Sequence, residues 1–262
     1  MRPRAAVFCF HDVVAAERLD AVPATHRPYV LEPDVLRELL LAAHGSGRQA
    51  IPVHRVPGEF GGAFYAITFD DGADSDYGIA FPILRELGLR ATFFVVPTLV
   101  GTSGYVGWAE LREMVAAGME VGSHSLTHPF VHGLDADGLR HEFGESKRLL
   151  EARLGIAVRS ASLPRGWEPR ALRPVLVELG YRAFCTSRVG WWYPGGEPLA
   201  IPRIAVRRGM TVEEFLSILR AEPRALWRLQ AIEAAKNAAK ACLGASGWQR
   251  LRTPLLALRE RV

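Results

Sequence analysis

Short apolar runs alternate with amphipathic stretches that stop at glycine along most of this chain, and that rhythm leaves few architectures open. Val7–Phe10 is followed by a loop rich in Pro and Ala and then by the helical stretch Pro33–His44. Tyr65–Phe69 precedes Tyr77–Leu87 and Gly88, and Ala91–Val96 precedes Trp108–Ala117 and Gly118. The same order recurs in Met119–Gly122 before Asp137–Leu154 and Gly155, and in Ser160–Leu163 before Pro169–Leu179 and Gly180. Ala183–Thr186 and Ile201–Val206 then lead to Thr211–Arg220. Glycine tolerates the left-handed residue that closes a helix, so a glycine between helix and strand marks a βα unit. Strands joined through helices run parallel, which predicts a parallel sheet, either open or closed into a barrel. In both cases functional groups gather at the C-terminal ends of the strands. His11, Asp70, Asp71, His124 and Pro164 all fall just after predicted strands.

At 262 residues the chain is long enough for one such barrel or for two small domains. Its three cysteines, Cys9, Cys185 and Cys242, are far apart and form no CxxC pair, which argues against a disulfide framework or a thiolate-bound zinc and fits a reducing compartment. The apolar stretch before His11 is too short for a secretory leader, and no run of apolar residues matches the thickness of a bilayer. A cytoplasmic location is therefore expected. The net charge of +4 conceals an asymmetry, because residues 223–262 hold eight Lys/Arg against Glu233 and Glu260. Basicity thus belongs to this tail and not to residues 1–222, and nucleic acid is not an expected partner. The tail also carries Leu226, Trp227, Leu229, Ile232, Leu243, Trp248 and Leu251. It reads either as a basic amphipathic helix lying on the inner face of an anionic membrane, or as a helix packed across the barrel.

Two segments carry the chemistry. Thr68-Phe69-Asp70-Asp71-Gly72 sets adjacent carboxylates at a strand end, where Gly72 lets both turn into one pocket. Ser123-His124-Ser125-Leu126-Thr127-His128-Pro129 sets two imidazoles four residues apart, able to share one ion if the segment is helical or tightly turned. One oxygen and two nitrogen ligands form the donor set of a catalytic divalent metal, with a carboxylate left over as a base. Ser123, Ser125 and Thr127 are placed to orient the rings. Taken singly, each segment also fits a solvated turn or surface histidines.

These two segments, with Leu163-Pro164-Arg165-Gly166, resemble the motifs of the NodB-homology polysaccharide deacetylases, carbohydrate esterase family 4, over roughly residues 5 to 220. The resemblance implies an α/β fold, a distorted (β/α)7 barrel over residues 1–222, with 223–262 as a C-terminal helical extension. It implies a divalent metal, zinc first and cobalt, nickel or manganese as alternatives, on Asp71, His124 and His128, with Asp70 as general base. The reaction implied is hydrolysis of an N-acetyl group from an amino sugar of a bacterial polysaccharide or its lipid-linked precursor. A deformylase or other amide hydrolase, or a degenerate glycan-binding protein, are the alternatives.

Two departures bear on the alternatives. The arginine that opens the family's third motif and orients the base is replaced by Ser162, with Arg165 or Arg203 as candidate substitutes. The Leu-x-His motif that supplies an acid is missing, and Ile201–Val206 stands in its region. His11-Asp12 resembles the N-terminal motif of the subgroup acting on exopolysaccharides such as poly-N-acetylglucosamine, which makes His11 the candidate acid and Asp12 a residue to orient or tune it. The resemblance puts the oxyanion donor at the backbone N–H of Arg165. Trp167 and the aromatic loop Trp191–Gly196 are either sugar-contacting faces or ordinary packing at the barrel rim.

Overall fold

A computed structural model of the chain describes residues 4–58, 63–239 and 242. Its strands are β1 (Val7–Phe10), β2 (Gln49–Ala50), β3 (Phe64–Asp71), β4 (Thr92–Val95), β5 (Glu120–Ser123), β6 (Ser160–Ser162), β7 (Ala183–Cys185) and β8 (Ile204–Ala205). All pair in parallel, in the order β7-β6-β5-β4-β3-β1-β8, with the short β2 set against β3. Between the two end strands, Ile201 exchanges backbone hydrogen bonds with the β7 side, to Phe184 O and from Thr186 N, each at 2.8 Å. The chain then runs from Ile201 straight into β8, which pairs with β1 and so curls the sheet back on itself. This is the parallel βα sheet that the punctuation predicts, in the NodB-type barrel form that the resemblance implies, with β2 as an unpredicted addition.

The helices are α1 (Pro33–Gly45), α2 (Phe81–Glu86), α3 (Trp108–Ala116), α4 (Ala136–Arg140), α5 (Ser146–Leu154), α6 (Leu172–Glu178) and α7 (Val212–Leu219). Two of the predicted helices contain a π turn: Asp76–Ala80 opens the one ending in α2, and His141–Glu145 joins α4 to α5. Residues 227–239 form a further helix, α8. Leu226 just before it is buried, Leu229 packs against the core, and Glu233 Oε2 accepts from Val189 N–H at 2.9 Å. The described part of the tail therefore lies on the barrel, while Leu243, Trp248 and Leu251 lie outside the described residues. No helix among the described residues is long and apolar enough to cross a membrane.

Strand residues alternate between two cores. Phe8, Phe10, Tyr65, Ile67, Phe69, Phe93 and Phe184 face outward and pack under the helices. Val7, Phe64, Ala66, Phe94, Ala183 and Cys185 face inward, joined by Trp192. Trp192 reaches that interior because its backbone pairs with Ala5, ahead of β1 and so at the end of the barrel opposite His11. The aromatic loop thus plugs the bottom of the barrel and does not flank a groove near Asp70.

Above this plug the interior turns polar. Glu120 accepts from Thr92 Oγ1 at 2.6 Å and Ser160 Oγ at 2.7 Å, and its Oε1 lies 3.1 Å from His54 Nδ1. One layer higher the Phe94 ring fills the barrel. A Cβ on Gly122 would meet that ring at 2.6 Å, so only glycine fits two residues before His124. Burial alone would raise the pKa of Glu120, yet the bonds from His54, Ser160 and Thr92 hold it below its ordinary 4.5. A folded pKa below the unfolded one gives stability that is present above about pH 4.5 and lost as pH falls through the folded value. Glu120→Gln should therefore cost about 1–3 kcal/mol at pH 7. Thermal melts from pH 6 down to pH 3 should show its gap to the parent chain closing; a constant gap would refute the ionised role.

Candidate metal and catalytic site

The aspartates are the last two residues of β3, and so lie within the strand and not beyond it. Asp70 follows the inward alternation and is buried, 3 % exposed. Asp71 would point away, but its left-handed backbone (φ 81°), followed by Gly72 (φ 77°), swings its carboxylate back over the barrel mouth.

Arg203, immediately before β8, grips Asp70 with both ends of its guanidinium, Nη1 to Oδ1 at 2.7 Å and Nη2 to Oδ2 at 2.8 Å. Its Nε donates to Thr186 O at 3.2 Å, and its guanidinium stacks 5.7 Å from the Phe94 ring centroid. Burial alone would raise the pKa of Asp70, but the Arg203 charge overrides it and holds the carboxyl at about 2. Asp70 is thus ionised throughout the neutral range and fixed in rotation. Of the two candidates for the missing third-motif arginine it is Arg203 that meets Asp70, with all three guanidinium nitrogens engaged.

Arg165 does not share that task. Its side chain is exposed and donates from Nε to His128 O at 3.3 Å. Its own left-handed backbone (φ 56°) between Pro164 and Gly166 shapes the turn after β6.

Two imidazoles meet Asp71. His124 Nε2 and His128 Nε2 each lie 3.4 Å from Asp71 Oδ1, and the three ligand atoms fall within 4.8 Å of one another. Bonds of about 2.0–2.1 Å in a tetrahedral zinc site place neighbouring ligand atoms about 3.4 Å apart, so this donor set fits a divalent ion. Burial, and then the nearby His124, lower the pKa of His128 to about 4, leaving its ring neutral as a ligand must be. Burial would lower His124 as well, but Asp70 and Asp71 together raise it, so a positive charge is favoured at this spot. The segment between the rings is a tight turn, not a helix, with Ser125 (φ 65°) and His128 (φ 58°) both left-handed.

Ser162, which stands in place of the missing arginine, has its own task. Its Oγ lies 2.5 Å from His124 Nδ1 and 3.4 Å from Asp70 Oδ1. When His124 binds a cation through Nε2, Nδ1 carries the proton and donates to Ser162, which in turn donates to Asp70. The serine thus links the proposed metal ligand to the proposed base.

His11 follows β1 directly and is half-buried. Its Nδ1 lies 4.0 Å from Cys9 Sγ, and that thiol donates to Asp70 Oδ2 at 3.5 Å. Cys9, His11 and Asp70 could by spacing hold an ion of their own. Asp70 is already committed to Arg203, and burial pushes the Cys9 thiol well up, so this group suits a cation poorly. The Tyr29 ring covers His11 at 5.1 Å. Asp12 does not orient His11: its Oδ1 accepts from Ser75 Oγ and Val13 N–H, each at 2.7 Å, which ties the loop after β1 to the turn after β3. Trp167 stands at the rim with its ring 4.5 Å from His132 and 6.1 Å from Phe130.

Comparison with known proteins joins this geometry to a lineage. The signature described as "Polysaccharide deacetylase" matches residues 58–184, a span that takes in β3 to β6 and runs into β7. YxkH of Bacillus subtilis (strain 168), assigned by name to the polysaccharide deacetylases, is 27 % identical over 149 residues. Residues 58–184 belong to the polysaccharide deacetylase family. That alignment takes in 57 % of this chain and 53 % of YxkH, so the chain spans about half the length of that relative. Among solved deacetylase structures, PplD of Streptococcus pyogenes in complex with acetate superposes with a TM-score of 0.77 at 22 % identity, over 85 % of this chain and all of that one. IcaB of Ammonifex degensii superposes with a TM-score of 0.67 at 23 % identity, over 83 % of this chain and 96 % of that one. At such identities the superpositions establish the barrel shared with these proteins and nothing of what they act on.

Sequence reasoning missed Ser162 as a histidine partner and Glu142 beside the histidine loop. Only a serine level with His124 on the neighbouring strand could have signalled the first. Removing one member of a buried pair leaves an uncompensated charge, so Arg203→Met should cost about 3–5 kcal/mol. Adding Asp70→Asn should restore much of that loss in urea titrations; additive losses would refute the pairing. Ser162→Ala should weaken zinc binding about 10–100-fold in chelator competition.

Proposed function

We propose that this protein is a metal-dependent N-deacetylase that hydrolyses the N-acetyl group of an amino sugar in a bacterial polysaccharide. The observation that carries this reading is Asp70, ionised and clamped by Arg203, beside the Asp71, His124 and His128 group. A degenerate glycan-binding protein would have no use for a buried Arg–Asp pair aimed at that group, since such pairs contribute little net stability.

In this reading Asp71, His124 and His128 hold a divalent ion, zinc before cobalt, nickel or manganese, which supplies Lewis acidity toward the acetyl carbonyl. Asp70 takes a proton from the attacking water, and Arg203 keeps its oxygens from rotating away. The Arg165 N–H, on the turn beside His128, faces the developing oxyanion. His11 gives a proton to the departing amine. Burial lowers its pKa below the ordinary 6.5, so at neutral pH the ring must first take up a proton from solvent, which it then gives up readily. Trp167 offers a ring face to the sugar.

The likeness of His11-Asp12 to the exopolysaccharide-acting subgroup favours a poly-N-acetylglucosamine-like substrate. The finer expectations of a lipid-linked sugar and a place at the cytoplasmic membrane face rest on the basic residues of the tail. Co-sedimentation with acidic but not neutral vesicles would support them, and no pelleting with either would end them.

Acetate release from N-acetylglucosamine oligomers, with zinc or cobalt added, is expected and should vanish on chelation. Asp70→Asn should abolish release while still binding zinc. His11→Ala should lower kcat at least about tenfold, on the scale of a lost general acid. Absence of acetate from every N-acetylated glycan tried, with metal bound, would defeat the proposal.

A further inference from the structure

The loop that carries both imidazoles has an unusual set of supports. Ser125 and His128 occupy left-handed backbone without being glycine, a conformation that surrounding contacts must impose. Across this turn the backbone N–H groups end on side-chain oxygens. Ser125 N–H donates to Ser123 Oγ at 3.2 Å, and His128 N–H to Ser125 Oγ at 3.0 Å. The two in between, Leu126 N–H and Thr127 N–H, both donate to Glu142 Oε2, at 2.9 and 3.0 Å. Glu142 Oε1 accepts the Thr127 hydroxyl at 2.8 Å.

Glu142 reaches this loop from the π turn between α4 and α5, and it is 7 % exposed. One helical turn on, Ser146 Oγ meets Ser123 Oγ at 2.7 Å, at the other end of the same loop. A single helix thus fixes the ligand loop at two places, and its carboxylate alone takes three of the bonds. A carboxylate suits the task because both oxygens only accept. An amide would turn an NH2 group toward one of these donors, and a shorter acid would fall a methylene short.

We propose that Glu142 is the positioning residue for the metal tripod. By gripping the backbone of Leu126 and Thr127 it sets where His128 Nε2 stands relative to His124 and Asp71. It is not a ligand, since both its oxygens are committed to the loop. The proposal rests on the reading that Asp71, His124 and His128 bind a divalent ion.

The test uses the full chain stripped of metal and titrated with zinc and with Co2+ alone. Glu142→Gln should weaken zinc binding about 10–100-fold, as loss of an outer partner of a metal site does. It should also change the visible absorption spectrum of the Co2+-saturated protein. Glu142→Asp, which keeps the acceptor character, should recover part of both. Thr127→Ala, which removes only the hydroxyl bond, should fold even where Glu142→Gln does not, and should shift the Co2+ spectrum in the same direction by less. Leu150→Ala, a buried change in the same helix remote from the loop, should lower Tm and leave zinc affinity and spectrum unchanged. Parental zinc affinity and an unaltered spectrum in Glu142→Gln, or in Thr127→Ala should Glu142→Gln not fold, would overturn the positioning role. Failure of the parent chain itself to bind zinc or Co2+ would instead overturn the tripod reading, and this proposal with it.

Discussion

The Arg203–Asp70 pair is the constraint around which the barrel interior is arranged. A guanidinium and a carboxylate, each about 5 % exposed or less, can share a low-dielectric interior only if nearly every donor has an acceptor. The fold supplies these from four strands or their flanks. Thr186 gives a carbonyl beyond β7, Thr68 a hydroxyl on β3, Ser162 a hydroxyl on β6, and Cys9 a thiol on β1. Phe94 closes the space beneath, and Gly122 leaves room for its ring.

The polar interior is therefore stacked and not merely tolerated. Trp192 and its neighbours seal the bottom, the Glu120 group lies above them, and the Phe94 ring stacks under Arg203 in the Asp70 group. Two clusters of buried charge thus lie in one barrel. Each can then be satisfied by its own partners.

Most of the fold was legible because glycine stops and apolar runs are local signals. The boundaries of β3, β5 and α1 lie within one or two residues of the pattern read from the sequence. The aspartates and histidines were legible as well, since a glycine at the strand end and a four-residue spacing in a turn bring each pair to one place. Contacts across the sheet were not. Nothing local in Ile-Pro-Arg-Ile says that Arg203 crosses the barrel to Asp70, and nothing in Asp12 says that it turns to Ser75 and away from His11. Glu142 looks like any acid on a charged helix until the helix is laid against the loop after β5. Trp191–Gly196 carries an aromatic composition that suits a sugar, and only the pairing of Trp192 with Ala5 reveals which end of the barrel it closes.

The strand that delivers Arg203 is also the one through which the sheet returns to β1. The partners of the clamp are 133 residues apart in sequence, and the arginine sits just before the last of the described strands. Without the segment that leads into β8, Asp70 lacks the guanidinium that holds both of its oxygens. Closure of the sheet and fixing of the Asp70 carboxylate thus depend on the same segment. The chain gains an ordered Asp70 only once its topology is complete, so a half-assembled barrel holds the aspartates without the geometry that would make them useful.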